Sequence, residues 1–167
     1  METLIVRAGD TDERSAAFRQ AYYALRSKAF DTYWGQNFYP NGPDAYDLRP
    51  DTVFLLAVED GKVIAGNRLL FHEPGSDVRL PLEDKHPKLL VENLLPHLDV
   101  KGLRYCESGG GIADPDEVAR HPHLGTEASQ ARFRLIQSGK LGPIDAVFAT
   151  LSSSSVGALE RAATATA

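Results

Sequence analysis

The chain has 167 residues, 43% hydrophobic and 25% charged, with 23 acidic against 18 basic side chains and a formal net charge of −5. That length and composition describe one globular domain with material for a real core, and exclude a disordered tail, a disulfide scaffold or two independent domains. The acidic balance argues against a nucleic-acid partner, no apolar run approaches the ~20 residues that span a bilayer, and METLIVRAGDTDER has no signal-peptide core, so a cytoplasmic protein is expected.

The alternation Thr3-Leu4-Ile5-Val6-Arg7 predicts a strand, and Asp10, with Glu13 three residues later, is the expected cap of the helix that follows. That helix carries Phe18, Ala21, Tyr22, Leu25 and Ala29 on one face, with Arg26 beside the stripe. The aromatic stretch from Phe30 to Tyr39 reads as a connection or a broken second helix ending at PNGPD. TVFLLAVE and KVIAGNRLLFH flank Asp60-Gly61, the mark of a type I′ hairpin. PGSDVRLPLEDKHP reads as a loop and KLLVENLLPHL as about two helical turns. GLRYCESGGGIADP is a strand disturbed by three glycines, and its single Cys106 is read as a small buried hydrophobe. A helical region after Pro115, interrupted by HPHLG, precedes a fifth strand in DAVFATLS. Strands joined once by a hairpin and otherwise by helices imply a mixed central sheet flanked by helices. Residues 1–152 form the expected domain and 153–167 a low-complexity segment.

The residues that carry chemistry in this order resemble those of the acyl-homoserine-lactone synthases, the autoinducer synthases of quorum sensing. Arg26 and Phe30 lie four apart on the first helix, Trp34 follows, PDAYD supplies Asp44 and Asp47, and VIAGNRLL supplies Gly66 and Arg68 after the hairpin. Gly42 stands where the family pattern has a glutamate, and Gly110 where an arginine follows the strand glutamate, here Glu107. The resemblance implies an α/β (α+β) domain with an N-acetyltransferase-like (GNAT) fold. It also implies transfer of an acyl group from an acyl-coenzyme A or acyl-carrier-protein thioester to the amine of a small amino-acid-like acceptor, S-adenosylmethionine in the family.

On that basis Glu107 is the expected base for the amine, since an amine attacks only when unprotonated. Asp44 and Asp47 would hold the ammonium or order the loop, and Arg68 would pair with them or with an acceptor carboxylate. Arg26, Phe30, Trp34 and Ser108 are the expected substrate contacts, with backbone N–H groups at Ser108-Gly109-Gly110 facing the oxyanion. The structural alternatives are that Arg26 and Arg68 tie helix to sheet through the two aspartates, that Glu107 faces solvent, that Trp34 is core or lid, and that the glycines are only a loop. HPHLGTEA falls where the GNAT fold has its pyrophosphate loop but lacks the basic-x-x-Gly-x-Gly/Ala spacing. His121 and His123 lack a third ligand nearby in sequence, so no metal is expected. Arg120, Arg132, Arg134 and Lys140 against Glu127 form an expected basic face for an acidic carrier protein. The alternatives are an acetyl-coenzyme A-dependent acetyltransferase of the same fold, or a catalytically degenerate binding domain.

Overall fold

The computed structural model describes residues 1–36, 39–40, 42–85, 90–94, 96–97 and 99–149. The low-complexity segment 153–167 lies outside them.

Five strands form one sheet in the order β1-β2-β3-β4-β5. They are β1 (Glu2–Arg7), β2 (Val53–Glu59), β3 (Lys62–His72), β4 (Tyr105–Ala113) and β5 (Ala146–Ala149). The first three pairings are antiparallel and β4–β5 is parallel. The hairpin turns as its sequence requires: Asp60 at φ 49° and Gly61 at φ 78° both take the positive φ of a type I′ loop. β2 and β3 are buried along nearly their whole length, which is why they read as unbroken apolar runs rather than as alternation.

Helix α1 (Glu13–Trp34) covers one face of the sheet. Its cap is Asp12, which accepts the Ser15 N–H at 2.8 Å, not Asp10, which accepts the Arg7 N–H in the preceding turn. The aromatic stretch expected to be a connection or a broken second helix instead continues this helix as far as Trp34, and Gly35 ends it in the left-handed region at φ 62°. The buried face is also rotated from the expected stripe, for Ala21 is exposed while Tyr23 and Arg26 are buried. Gly66 on β3 lets the helix come this close, because a Cβ there would lie 2.8 Å from Tyr22 Cδ2 and 2.9 Å from Leu56 Cδ2.

Helix α2 (Pro81–Lys85) forms within the segment expected to be a loop, because Glu83 reaches back to the Leu80 N–H at 2.9 Å and supplies the N-terminal capping that the expectation overlooked. The expected two-turn helix is a single turn in the described residues, α3 (Val91–Leu94), whose first N–H also bonds to Glu83. Helices α4 (Pro115–Arg120) and α5 (Leu124–Gln137) follow β4. Leu124 and Ala128 of α5 pack with Ala57, Ile64 and Ala65, while Leu135 and Ile136 lie against the Val53, Leu55, Leu69, Phe71 and Cys106 cluster. Cys106 is wholly buried, as expected, and burial pushes its thiol up to about 12, leaving it protonated and inert.

Candidate active site

The two aspartates of PDAYD are brought together with both arginines. Arg26 is fully buried on α1 and donates from Nη1 to Asp47 Oδ1 at 3.0 Å, from Nη2 to Asp47 Oδ2, and from Nη2 to the Gly42 carbonyl at 3.1 Å. Arg68 of β3 donates from Nη1 to Asp44 Oδ1 at 2.6 Å and to Asp47 Oδ1 at 2.7 Å. Asp44 also accepts the Tyr46 and Asp47 N–H groups, both at 2.9 Å, and Asp47 Oδ2 accepts the Asp44 N–H at 2.8 Å. The aspartates therefore fold their own turn and neutralise two arginines, one from the helix and one from the sheet. Burial alone would raise the Asp44 carboxyl, but the hydrogen bond and charge of Arg68 hold it below its ordinary value. Burial likewise opposes the charge on Arg26 and Arg68, yet their carboxylate partners raise both above the usual arginine value.

Aromatic rings close over this cluster. Tyr39 lies 3.8 Å from the Arg26 guanidinium, Phe30 packs edge-on against Tyr39 at 5.2 Å, and Trp34 tilts against Phe30 at 4.7 Å while remaining 52% exposed. Phe30 and Trp34 thus extend the aromatic layer that begins at Tyr39, with Trp34 open to solvent.

Glu107 sits on the same sheet face, one strand over. It is 6% exposed rather than facing solvent, pairs across the ladder with Leu70, and accepts the Leu82 N–H at 2.8 Å through Oε2. Ser108 points to the opposite face, where its Oγ accepts from Asn67 Nδ2 at 2.5 Å. The expected grouping of Ser108 with Glu107 therefore splits across the sheet, as alternation along a strand demands. The three glycines are neither a loop nor a break in the strand. Arg68 pairs with Gly109 and Gly66 with Ile112, so β4 spends an extra residue opposite Asn67, and Gly110 takes φ 61°. This is a β-bulge, which leaves a backbone group out of the ladder and bends the strand. Tyr22 Oη fixes it by donating to the Gly110 carbonyl at 2.8 Å. On its other side β4 pairs with β5 from Tyr105 to Ser108 over the described residues Ala146–Ala149.

The sequence matches no protein-family model and no curated protein. Among solved structures, an acyl-CoA N-acyltransferase from Pseudomonas aeruginosa superposes with a TM-score of 0.59 at 17% identity, over 96% of this chain and 84% of that one. This is the GNAT fold. A putative acetyltransferase from Agrobacterium tumefaciens (TM-score 0.56, 10% identity, 98% and 92% coverage) and a ribosomal-protein-alanine N-acetyltransferase from Brucella melitensis (0.55, 9%, 98% and 90%) share it.

Within this GNAT fold, Asn67, which sequence reasoning passed over, and Arg132, which it read only as part of a basic face, lie on the α5 face of the bulge. Asn67 is 2% exposed and its Oδ1 has no hydrogen-bond partner. A polar residue inside an apolar strand run was the signal for it. Arg132, expected on a basic outer face with Arg120, Arg134 and Lys140, is half-buried on α5 beside β4, where a Cβ on Gly111 would meet its Nη1 at 3.3 Å. Arg134 and Lys140 are exposed, and Arg120 is paired with Glu117 at 3.4 Å. His121 and His123 line a surface hollow of about 230 Å³ at the start of α5, shared with Glu59, Glu117 and Glu127. No trio of His, Cys, Asp or Glu suited to a metal is gathered among the described residues, and none of their helices is long and apolar enough to cross a membrane.

Proposed function

We propose that this chain is an N-acyltransferase, moving an acyl group from a coenzyme A or carrier-protein thioester to the amine of a small amino-acid-like acceptor. One observation carries the reading: a buried carboxylate, Glu107, sits three residues before the left-handed Gly110 of a glycine bulge on β4 of the GNAT fold. Glu107 takes the proton from the acceptor ammonium. The freed amine nitrogen adds to the thioester carbonyl carbon, and backbone N–H groups of the bulge face the oxygen that gains charge. The nitrogen, cationic after addition, gives its second proton to water; collapse breaks the C–S bond and the proton held by Glu107 goes to the departing thiolate, so that amide, free thiol and one released proton are the products.

Of the two jobs open to the aspartates, holding an ammonium or ordering the loop, their partners support the second. With both engaged by Arg26 and Arg68, they support the acceptor face as a rigid, neutral wall rather than offering open carboxylates to an ammonium. S-adenosylmethionine therefore enters as one acceptor among several, and an acetyl-coenzyme A-dependent acetyltransferase is the second reading, supported by what the neighbours of this fold are called.

The test is thiol release by the full chain from acetyl-coenzyme A, octanoyl-coenzyme A and octanoyl-acyl carrier protein, each with a panel of L-amino acids and S-adenosylmethionine. Wild type should release thiol with at least one pair, and Glu107→Gln should lower that rate about 10²-fold or more. Absence of release from every pair, or a Glu107→Gln rate equal to wild type, refutes the proposal. Preference for the octanoyl or the acetyl donors decides between the two readings.

A further inference from the structure

The three glycines of β4 do not share one explanation. Gly110 takes φ 61°, where a side chain is strained, and a Cβ there would lie 2.6 Å from Tyr22 Oη. A Cβ on Gly111 would crowd Arg132 Nη1 at 3.3 Å. Gly109 answers to neither need. It lies outside the left-handed region, and among the described residues, its chain neighbours aside, the one atom within 4 Å of a Cβ built on it is Glu107 Oε1, at 4.0 Å. A glycine inside a strand weakens it, because it loses more chain entropy on folding and has no side chain to pack. Gly109 therefore weakens β4 with no conformational or packing reason among the described residues. What its missing side chain leaves is room at the base. Gly109 is half-buried and shares the α1 face of the sheet with Glu107, two residues before it, and with Arg68, its partner across the ladder. Glu107 Oε2 is held by the Leu82 N–H at 2.8 Å, and Oε1 is the oxygen turned to the cleared space.

We propose that the bare face of Gly109 seats the acceptor: the amine nitrogen lies against it within hydrogen-bond reach of Glu107 Oε1, and the width of that seat selects among primary amines by the bulk next to the nitrogen. This rests on the acyltransferase reading and adds to it the place and the size limit of the acceptor. An amine nitrogen approaches a carboxylate oxygen to ~2.9 Å, whereas atoms that share no hydrogen bond stay ~3.5 Å or more apart. A methyl carbon 4.0 Å from Oε1 and an amine nitrogen on the same side of that oxygen therefore exclude each other. Substituents on the carbon that bears the amine draw on the same cleared volume, so a bulkier acceptor loses more when that volume shrinks. Arg68, opposite Gly109 and bound to Asp44 and Asp47, borders the seat from β3 with its charge already neutralised. The polar group left to meet an ammonium over Gly109 is the Glu107 carboxylate.

Gly109→Ala adds one methyl and leaves the backbone N–H groups of the bulge as they are. It should keep or raise the melting temperature of the ligand-free protein. In thiol release it should lower kcat/KM for the acceptor about 10-fold or more, with the KM of the thioester donor little changed. The loss should be least for glycine and grow with branching next to the amine, and Gly109→Ser should behave alike. If acceptor kcat/KM is unchanged in both variants, the seat fails while the transferase reading stands; a melting temperature that falls in both besides makes the glycine structural. A separate arm needs no turnover. At least one of glycine, L-alanine, L-valine and S-adenosylmethionine should raise the melting temperature of wild type, and Gly109→Ala and Glu107→Gln should each remove most of that shift. No shift in wild type from any of the four, or an equal shift in Gly109→Ala, overturns the proposal. If an amine stabilises wild type in a way that depends on Gly109 and Glu107, yet no donor releases thiol, the transferase reading fails and the amine seat stands.

Discussion

At the scale of single residues, Asp47 decides how α1, the turn at 44–47 and β3 are held. Its two oxygens receive Arg26, Arg68 and the Asp44 N–H, and its side chain is fully buried. Removing one partner of a buried ion pair leaves the other charged and dry, which costs about 3–5 kcal/mol. Asp47→Asn keeps the shape and loses the charge, so it should destabilise the protein by roughly that amount in urea unfolding. A loss below about 1 kcal/mol would mean that the pairs behave as solvent-exposed ones. The spacing of Asp44 and Asp47, and the presence of Arg26 and Arg68, were legible in the sequence. Their mutual consumption was not, because only the fold brings residues 26, 47 and 68 within hydrogen-bond reach. The place of Arg132 beside Gly111 was out of reach for a related reason: charge counted along a helix does not say which turn faces a glycine of the neighbouring strand.

Among elements, Asp114 is the knot. It caps α4 by accepting the Asp116 N–H at 3.0 Å, and it binds Lys28 of α1 at 2.8 Å and Lys62 of β3 at 3.1 Å. Burial would raise its pKa, but the two ammonium groups and the capping N–H more than offset that and hold it at about 2. An unfolded aspartate titrates near ~3.9. The folded value is thus the lower one, so the stabilisation is complete above about pH 4 and is lost as pH falls from there through about 2. Asp114→Asn should flatten the fall of stability between pH 4 and 2 in denaturant titrations. Because both lysines are half-exposed, the effect should also shrink in high salt. A wild-type acid limb retained unchanged in the variant would place its cause elsewhere. The elements themselves were largely legible where one local rule dominated, as in the Asp60-Gly61 hairpin. They were misread where a distant partner decided the matter: α2 exists because Glu83 caps it, and β4 runs through its glycines because Tyr22 and the ladder with β3 hold the bulge.

For the molecule as a whole, the sheet is what makes the described chain one cooperative object. β2 and β3 are buried on both faces, with Tyr22, Phe54 and Leu56 packed under α1 and Leu55, Leu69 and Cys106 on the α5 side. Neither layer can leave without exposing the same two strands to water, and at ~25 cal/mol per Å² of apolar surface that exposure opposes any partly unfolded state. Composition alone had suggested one domain, but the reason for cooperativity, two layers sharing two central strands, depends on strand order and lay beyond it. Trp34, the chain's lone tryptophan, ends α1 on one side of the sheet, whereas far-UV circular dichroism averages over every element. Urea unfolding followed by Trp34 fluorescence and by far-UV dichroism should therefore give one coincident transition with the same midpoint and slope. The Asp47→Asn variant should shift both probes together, since the charge cluster binds α1 to β3 rather than stabilising α1 alone. An earlier fluorescence midpoint, in wild type or variant, would show α1 detaching from a sheet that persists. The acceptor wall built on Arg26 and Asp47 would then be an independently mobile layer rather than a fixed part of the site.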